Sequence, residues 1–171
     1  MLNPDITKLL NEQINKEFYS AYLYLAISNY YADNNLAGFE NWFFVQAQEE
    51  RDHALLFRRY LLNEGECVHF DAIAAPDTQV FESFKAPLLA SLEHERFVTA
   101  SINTIYTLAN EIKDYRTLQV LNWFVKEQGE EEKNSDDLIR KFDLFGSDPK
   151  SLYMLNSELA TRVYAPPSLI L

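Results

Sequence analysis

The sequence predicts an all-α fold: a four-helix bundle with one long crossover between the second and third helices and a short fifth helix. Three observations predict it. Only 4 of 171 residues are glycine while 47 % are hydrophobic, a balance that favours long helices over an all-β design. Apolar residues recur every three or four positions along four separate stretches. Between the second and third stretches lies an interval, residues 66–82, far longer than a turn. The length suits one domain over 1–171, with the bundle at about 4–145, a fifth helix at about 148–163 and an apolar tail at 164–171.

Asn3 followed by Pro4 reads as an N-cap with proline in the first helical turn, where its missing N–H is harmless. The face of that helix is Leu10, Ile14, Glu17, Ala21, Tyr24 and Ser28, and Asp33-Asn34-Asn35 marks the turn after it. A second helix from about Leu36 to Glu64 carries Phe39, Phe43, Gln46, Glu50, His53, Phe57 and Tyr60, and Gly65 ends it. The short turn makes these two helices antiparallel. The mildly apolar interval 66–82, punctuated by Pro76-Asp77, is long enough to run the length of a helix pair, so the second and third helices are expected to be parallel. The third helix starts between Ser83 and Pro87 with Leu88, Leu92, Glu95, Thr99, Ile102, Tyr106 and Ala109 on one face. After a break near Lys113-Asp114, the fourth presents Leu121, Phe124, Gln128, Glu131, Ser135, Leu138 and Phe142 and stops at Gly146. Ser147-Asp148-Pro149 then caps the fifth helix.

A formal charge of −11 argues against nucleic acid or an anionic membrane as partner, and for attraction of cations. Cys67 is the only cysteine, which excludes a disulfide framework or a thiolate zinc site and fits a reducing cytoplasm. The first residues, Met1 to Asp5, lack the basic and apolar regions of a secretory signal, and no apolar run approaches the roughly 18 residues of a membrane span.

Function is written where the apolar faces are interrupted. Glu17, Glu50 with His53, Glu95 and Glu131 each sit at the middle of an oily face, one set per helix. Burying an uncompensated carboxylate costs on the order of several kcal/mol, so several at matching depth must be neutralised together, most economically by metal. Glu50 and His53 are three residues apart and project side by side; a carboxylate beside an imidazole suits iron, zinc or manganese better than calcium or magnesium.

Glu17 with Tyr24, the segment from Gln48 to His53, Glu95, and the run from Trp123 to Lys133 together resemble the non-haem prokaryotic ferritins, over about Leu2 to Val163 and in the same order and spacing. The resemblance implies a ferritin-like bundle, an architecture that general accounts of carboxylate sites in four-helix cores already use as an example. It implies that Glu17, Glu50 and His53 ligate a first iron, that Glu50 bridges to a second held by Glu95 and Glu131 with Gln128 close by, and that Glu49, Glu127 and Glu130 form a third iron position nearer a cavity. It also makes Tyr24 similar to a tyrosine that is transiently oxidised beside such a centre; on its residue type alone, Tyr24 is equally a core aromatic whose hydroxyl finds a partner. Gln128 reads alternatively as a hydrogen-bond donor, and Glu130 to Glu132 as a solvated run. His69 and His94 are expected at the surface or in loops, and Cys67 is expected to be structural.

The activity implied is ferroxidase, with dioxygen or hydrogen peroxide as acceptor, and storage of ferric mineral in a cytoplasmic shell of twenty-four copies. Haem is not expected: the haem-binding relatives use a methionine where this chain has Arg51, and the fourth helix lacks the second Glu-x-x-His of symmetric di-iron oxidases such as rubrerythrin. The remaining alternatives are a di-iron oxidase resembling bacterioferritin or rubrerythrin, or a storage subunit without significant ferroxidase activity. Tyr30, Tyr31, Phe44 and Phe81 are expected at contacts between copies. Leu118 and Leu121 match positions of an acidic threefold pore in animal ferritins, so iron is expected to use another way in, past the bundle wall.

Overall fold

A computed structural model describes residues 2–76 and 81–171. Asp77, half of the Pro76-Asp77 punctuation, and Met1 lie outside the described residues. The elements are α1 (Pro4–Asp33), α2 (Ala37–Asn63), α3 (Ala86–Glu111), α4 (Tyr115–Phe145) and α5 (Pro149–Leu159), with no strand among the described residues. No helix is long and apolar enough to cross a membrane, within the same residues.

Helix ends follow local chemistry. The Asn3 side chain accepts from the Asp5 N–H at 2.8 Å, as an N-cap does. Asn35 takes a left-handed conformation (φ 58°) in the α1–α2 turn, and Gly65 does so after α2 (φ 77°). Gly146 caps α4 differently, in the right-handed region at φ −76°. Leu36 gives α2 no side-chain cap; Asn156 of α5 supplies one, its Oδ1 accepting from Gly38 N at 2.8 Å and Phe39 N at 3.3 Å. That approach requires glycine, because a Cβ at Gly38 would lie 1.6 Å from the Asn156 carbonyl oxygen.

The crossover fixes the topology. Asn11 bonds Cys67 O and His69 N, Asn15 bonds Asp71 O and Ala72 O, Phe18 meets Phe70, and Tyr30 meets Phe81. The described parts of the segment therefore run beside α1 from its start to its end, carrying the chain back to where α2 began. As expected, α2 and α3 are parallel. Pairings of Gln13 with Ser101 and Tyr24 with Glu95 set α1 antiparallel to α3, while Gln46 with Glu131 and Tyr60 with Thr117 set α2 antiparallel to α4.

Two apolar clusters fill the bundle. One gathers Ile6, Leu10, Ile14, Phe57, Leu61, Ile102, Leu121 and Phe124; the other gathers Ile27, Tyr31, Phe39, Phe43, Leu88, Leu92 and Leu138. Between them lies a buried polar layer: Gln13, Glu17, Ser20, Gln46, Glu50, His53, Glu95, Gln128 and Glu131.

Two expectations change, and the tail finds a place. Tyr31 is fully buried in its own chain, stacked on Phe39 and Phe43 with its hydroxyl donating to Phe84 O at 2.7 Å, so it is core and not a contact between copies; Tyr30 leans on Tyr31 and Phe81, and Phe44 stays 47 % exposed. The fifth helix ends at Leu159, earlier than about 163, because Asn41 of α2 takes the carbonyls of Leu159 and Arg162 and draws the chain out of helix. The apolar tail then has a place: Trp123 Nε1 donates to Ser168 at 2.9 Å, and Leu169 and Leu171 pack on the first cluster.

Candidate metal centre

Six of the nine ligand candidates are delivered by helix faces to the waist between the apolar clusters. Glu17 comes from α1, Glu50 and His53 from α2, Glu95 from α3, and Glu131 with Gln128 from α4; all are buried. Ligating atoms of Glu17, Glu50 and His53 lie within 4.8 Å of one another, the one such trio of acids and histidine among the described residues. His53 Nδ1 is 3.3 Å from Glu50 Oε2, and the Trp123 and Phe124 rings hold the imidazole edge-on at 5.6 and 5.9 Å.

The rest of the cluster is bound up in hydrogen bonds. Tyr24 donates its hydroxyl to Glu95, and Gln128 donates to Glu95 Oε2 at 3.1 Å. Gln46 donates to Glu131 Oε2 at 2.6 Å and to Glu50 Oε1 at 3.3 Å. Gln13 donates to Glu17 Oε1 at 2.8 Å, and its own oxygen accepts from Ser101, which accepts from Lys16 at 2.7 Å. Glu17 Oε2 is left buried with no partner. That orphaned oxygen faces a site with hard oxygen donors and one imidazole, a set that fits ferrous iron.

No lysine or arginine pairs with these four carboxylates among the described residues; the imidazole of His53 is the one basic side chain beside them. Burial, with a smaller push from neighbouring acids, therefore raises Glu17, Glu95 and Glu131 to about 8 and Glu50 well above the usual carboxylate range. Burial likewise raises the Tyr24 phenol. Without metal, the cluster holds protons at neutral pH.

Glu49, Glu127 and Glu130 do not join this group. They line a cleft of about 260 Å³ beside it, with His53 on the inside and Ala165, Pro166, Pro167 and Ser168 of the tail across it. Glu49 is paired with Arg162 at 2.6 Å and Glu130 with the exposed Lys126 at 2.8 Å. Burial is the main cause of the raised values of Glu49 and Glu127.

Several side chains have roles that sequence reasoning did not assign. Gln13 and Gln46 each precede a buried glutamate by four residues, Glu17 and Glu50, and that repeated spacing was the available signal. Nothing in the pattern marked Arg162. His94 is no surface residue: it is half-buried among Tyr19, Tyr24 and Phe97, its Nε2 2.7 Å from Ser20 Oγ, and burial lowers it to about 4, so it stays neutral at pH 7. His69 is exposed as expected, whereas Cys67 is exposed and packs no core. Leu118 and Leu121 are buried in the first apolar cluster.

Comparison with known proteins decides the lineage. Residues 7–145 match the family model described as Ferritin, ferritin-like domain. The chain belongs to the ferritin family. It is 40 % identical over 164 residues to a bacterial non-heme ferritin of Staphylococcus saprophyticus, covering 96 % of this chain and 98 % of that one. It is 40 % identical to a bacterial non-heme ferritin of Campylobacter jejuni over 154 residues, 90 % and 92 % of the two chains. Among solved structures, an open-pore ferritin of Archaeoglobus fulgidus superposes with a TM-score of 0.92 at 37 % identity, covering 95 % of this chain and 98 % of that one. An engineered closed form of the A. fulgidus ferritin gives 0.93 at 36 %, covering 96 % and 100 %. The family handles iron, and Glu17, Glu50 and His53 of this ferritin-family chain form a candidate group for holding a metal ion.

Proposed function

We propose that this protein stores iron, oxidising ferrous ions as substrate at a di-iron centre in the polar layer and laying the ferric product down as mineral inside a shell of like copies. The observation that carries the reading is the set of four buried carboxylates and one imidazole with no lysine or arginine paired to them. Two divalent cations would balance that charge.

In this reading Glu17 and His53 hold the first ion, Glu50 bridges, and Glu95 and Glu131 hold the second; each carboxyl gives up its proton as metal arrives. Gln13, Gln46 and Gln128 keep hold of one oxygen of a carboxylate and so orient the other. Each ferrous ion gives one electron, and dioxygen takes two electrons and two protons to become hydrogen peroxide. Tyr24, bonded to Glu95, would serve as donor of one electron and its phenolic proton where the acceptor is reduced beyond peroxide. Carboxylates change binding mode easily, which lets the ferric product leave toward Glu49, Glu127 and Glu130, the third position. A haem-free shell of twenty-four copies in the cytoplasm completes the proposal, and Phe44 is left exposed for contact between copies.

The test is aerobic addition of ferrous salt. Glu50→Ala and His53→Ala should each slow formation of ferric product by on the order of 100-fold. Oxidation at the parent's rate in both variants would leave a passive store in place of an oxidase.

A further inference from the structure

The third position already holds a cation, and it belongs to the protein. Past the end of α5, Arg162 reaches back to α2 and is fixed by four groups. Its Nη2 donates to Glu49 Oε2 at 2.6 Å, its Nη1 donates to Gln46 Oε1 at 2.8 Å and to Trp42 O at 3.1 Å, and its guanidinium carbon lies 4.2 Å from the Trp42 ring centre. Asn41 anchors the main chain beneath it by bonding Arg162 O at 3.0 Å. The Arg162 side chain is 17 % exposed and that of Glu49 21 %, so the pair is largely withdrawn from solvent.

Its two arms serve different ends. A guanidinium only donates and a carboxylate only accepts. Gln46 lies between Arg162 on one side and Glu131 and Glu50 on the other, so its amide has one satisfactory orientation: oxygen toward Arg162, nitrogen toward the acids. Arg162 thereby sets the grip of Gln46 on Glu131 without touching a candidate ligand of the two buried ions. The other arm occupies Glu49. Of the three acids in the outer cleft, Glu130 is matched by Lys126, whose side chain is 75 % exposed and free to swing away. Arg162 has no such freedom.

We propose that Arg162 is a positioning residue that governs the third position: an ion is held by Glu49, Glu127 and Glu130 only when the guanidinium leaves Glu49, and that departure releases Gln46 from its orientation toward the buried pair. A filled third position and a fully braced inner site then exclude one another. The inference rests on the di-metal reading above and adds a specificity determinant on a segment of chain beyond the bundle.

Anaerobic calorimetric titration of the metal-free protein with zinc, which undergoes no redox change, tests it. The parent should take two ions tightly and a third weakly. In Arg162→Gln the third should bind roughly tenfold more tightly, as expected when a competing, mostly buried cation is removed. Arg162→Lys, which keeps a charge against Glu49, should leave the third ion as weak as in the parent; a merely structural arginine would not be rescued in this way. A zinc-soaked crystal of the parent adds a check that needs no variant: molecules holding the third ion should show Arg162 turned away from Glu49. A third ion bound with the Arg162–Glu49 pair intact, or unchanged third-ion affinity in Arg162→Gln, or tightening in Arg162→Lys, overturns the inference while two tight ions still support the di-metal reading. A parent that binds no tight ions overturns both.

Discussion

The two ends of the acidic layer differ in how ready they are for metal. On the α1–α2 side, Glu17, Glu50 and His53 have converged to within 4.8 Å, and Glu17 Oε2 accepts from no donor. On the α3–α4 side, Glu95 is engaged by Tyr24 and Gln128, and Glu131 by Gln46. An ion entering the first end finds one oxygen, Glu17 Oε2, without a donor, although Gln13 and Gln46 hold Glu17 and Glu50; one entering the second finds both oxygens of Glu95 taken. The first end is preorganised and the second is braced, so the two ions should bind with unequal affinity.

The largest test of that asymmetry compares Glu17→Gln with Glu131→Gln in anaerobic zinc titrations. Glu17→Gln should weaken the tighter event on the order of 100-fold, whereas Glu131→Gln should spare that event and weaken the other roughly tenfold. Equal losses would remove the distinction between the ends.

Acidity gives the next largest effect. Glu17, Glu95 and Glu131 stand at about 8 in the fold against an ordinary 4.5, so the folded state binds protons that the unfolded chain does not. These groups favour the fold fully below about pH 4.5, and that contribution drains away as pH rises through 8. Metal-free protein should therefore lose thermal stability between about pH 5 and 8, by more than about 10 °C in Tm, and saturating zinc should flatten the fall. A metal-free Tm that climbs over this window would contradict the burial argument.

The smallest effect sits at the braced end. Tyr24→Phe removes the phenol from Glu95 while keeping the ring against Phe43, so the second ion should bind about two- to fivefold more tightly, with the first unchanged. No change in either would mean that the phenol does not compete with metal.

Much of this comparison was legible before any coordinates. All six residues of the first face, Leu10 to Ser28, and all seven of the second, Phe39 to Tyr60, are buried, because a three/four spacing on a long helix leaves little choice of which side turns inward. The acids at Glu17, Glu50, Glu95 and Glu131 stood out because charge on an oily face is costly. The braces did not stand out. Glutamines such as Gln13 and Gln46 are ordinary helix residues, and their meaning depends on what lies across the bundle: Ser101 and Lys16 for one, Arg162 for the other. The end of α5 and the path of the tail depended on Asn41, over a hundred residues away, and no local pattern encodes that meeting. Tyr31 and His94 were misplaced for a related reason: aromatic and imidazole side chains are common both at surfaces and inside, and the neighbours Phe39, Phe84 and Ser20 decide which.

The account stands on two ions neutralising the acids at the bundle's waist. A crystal soaked in ferrous salt without air, with anomalous scattering measured at the iron edge, tests this most directly. Two iron peaks should appear, one among Glu17, Glu50 and His53 and one among Glu50, Glu95 and Glu131, the first more fully occupied at limiting iron. Iron absent from the waist at saturating salt, with the four carboxyls still hydrogen-bonded as they are here, would contradict it.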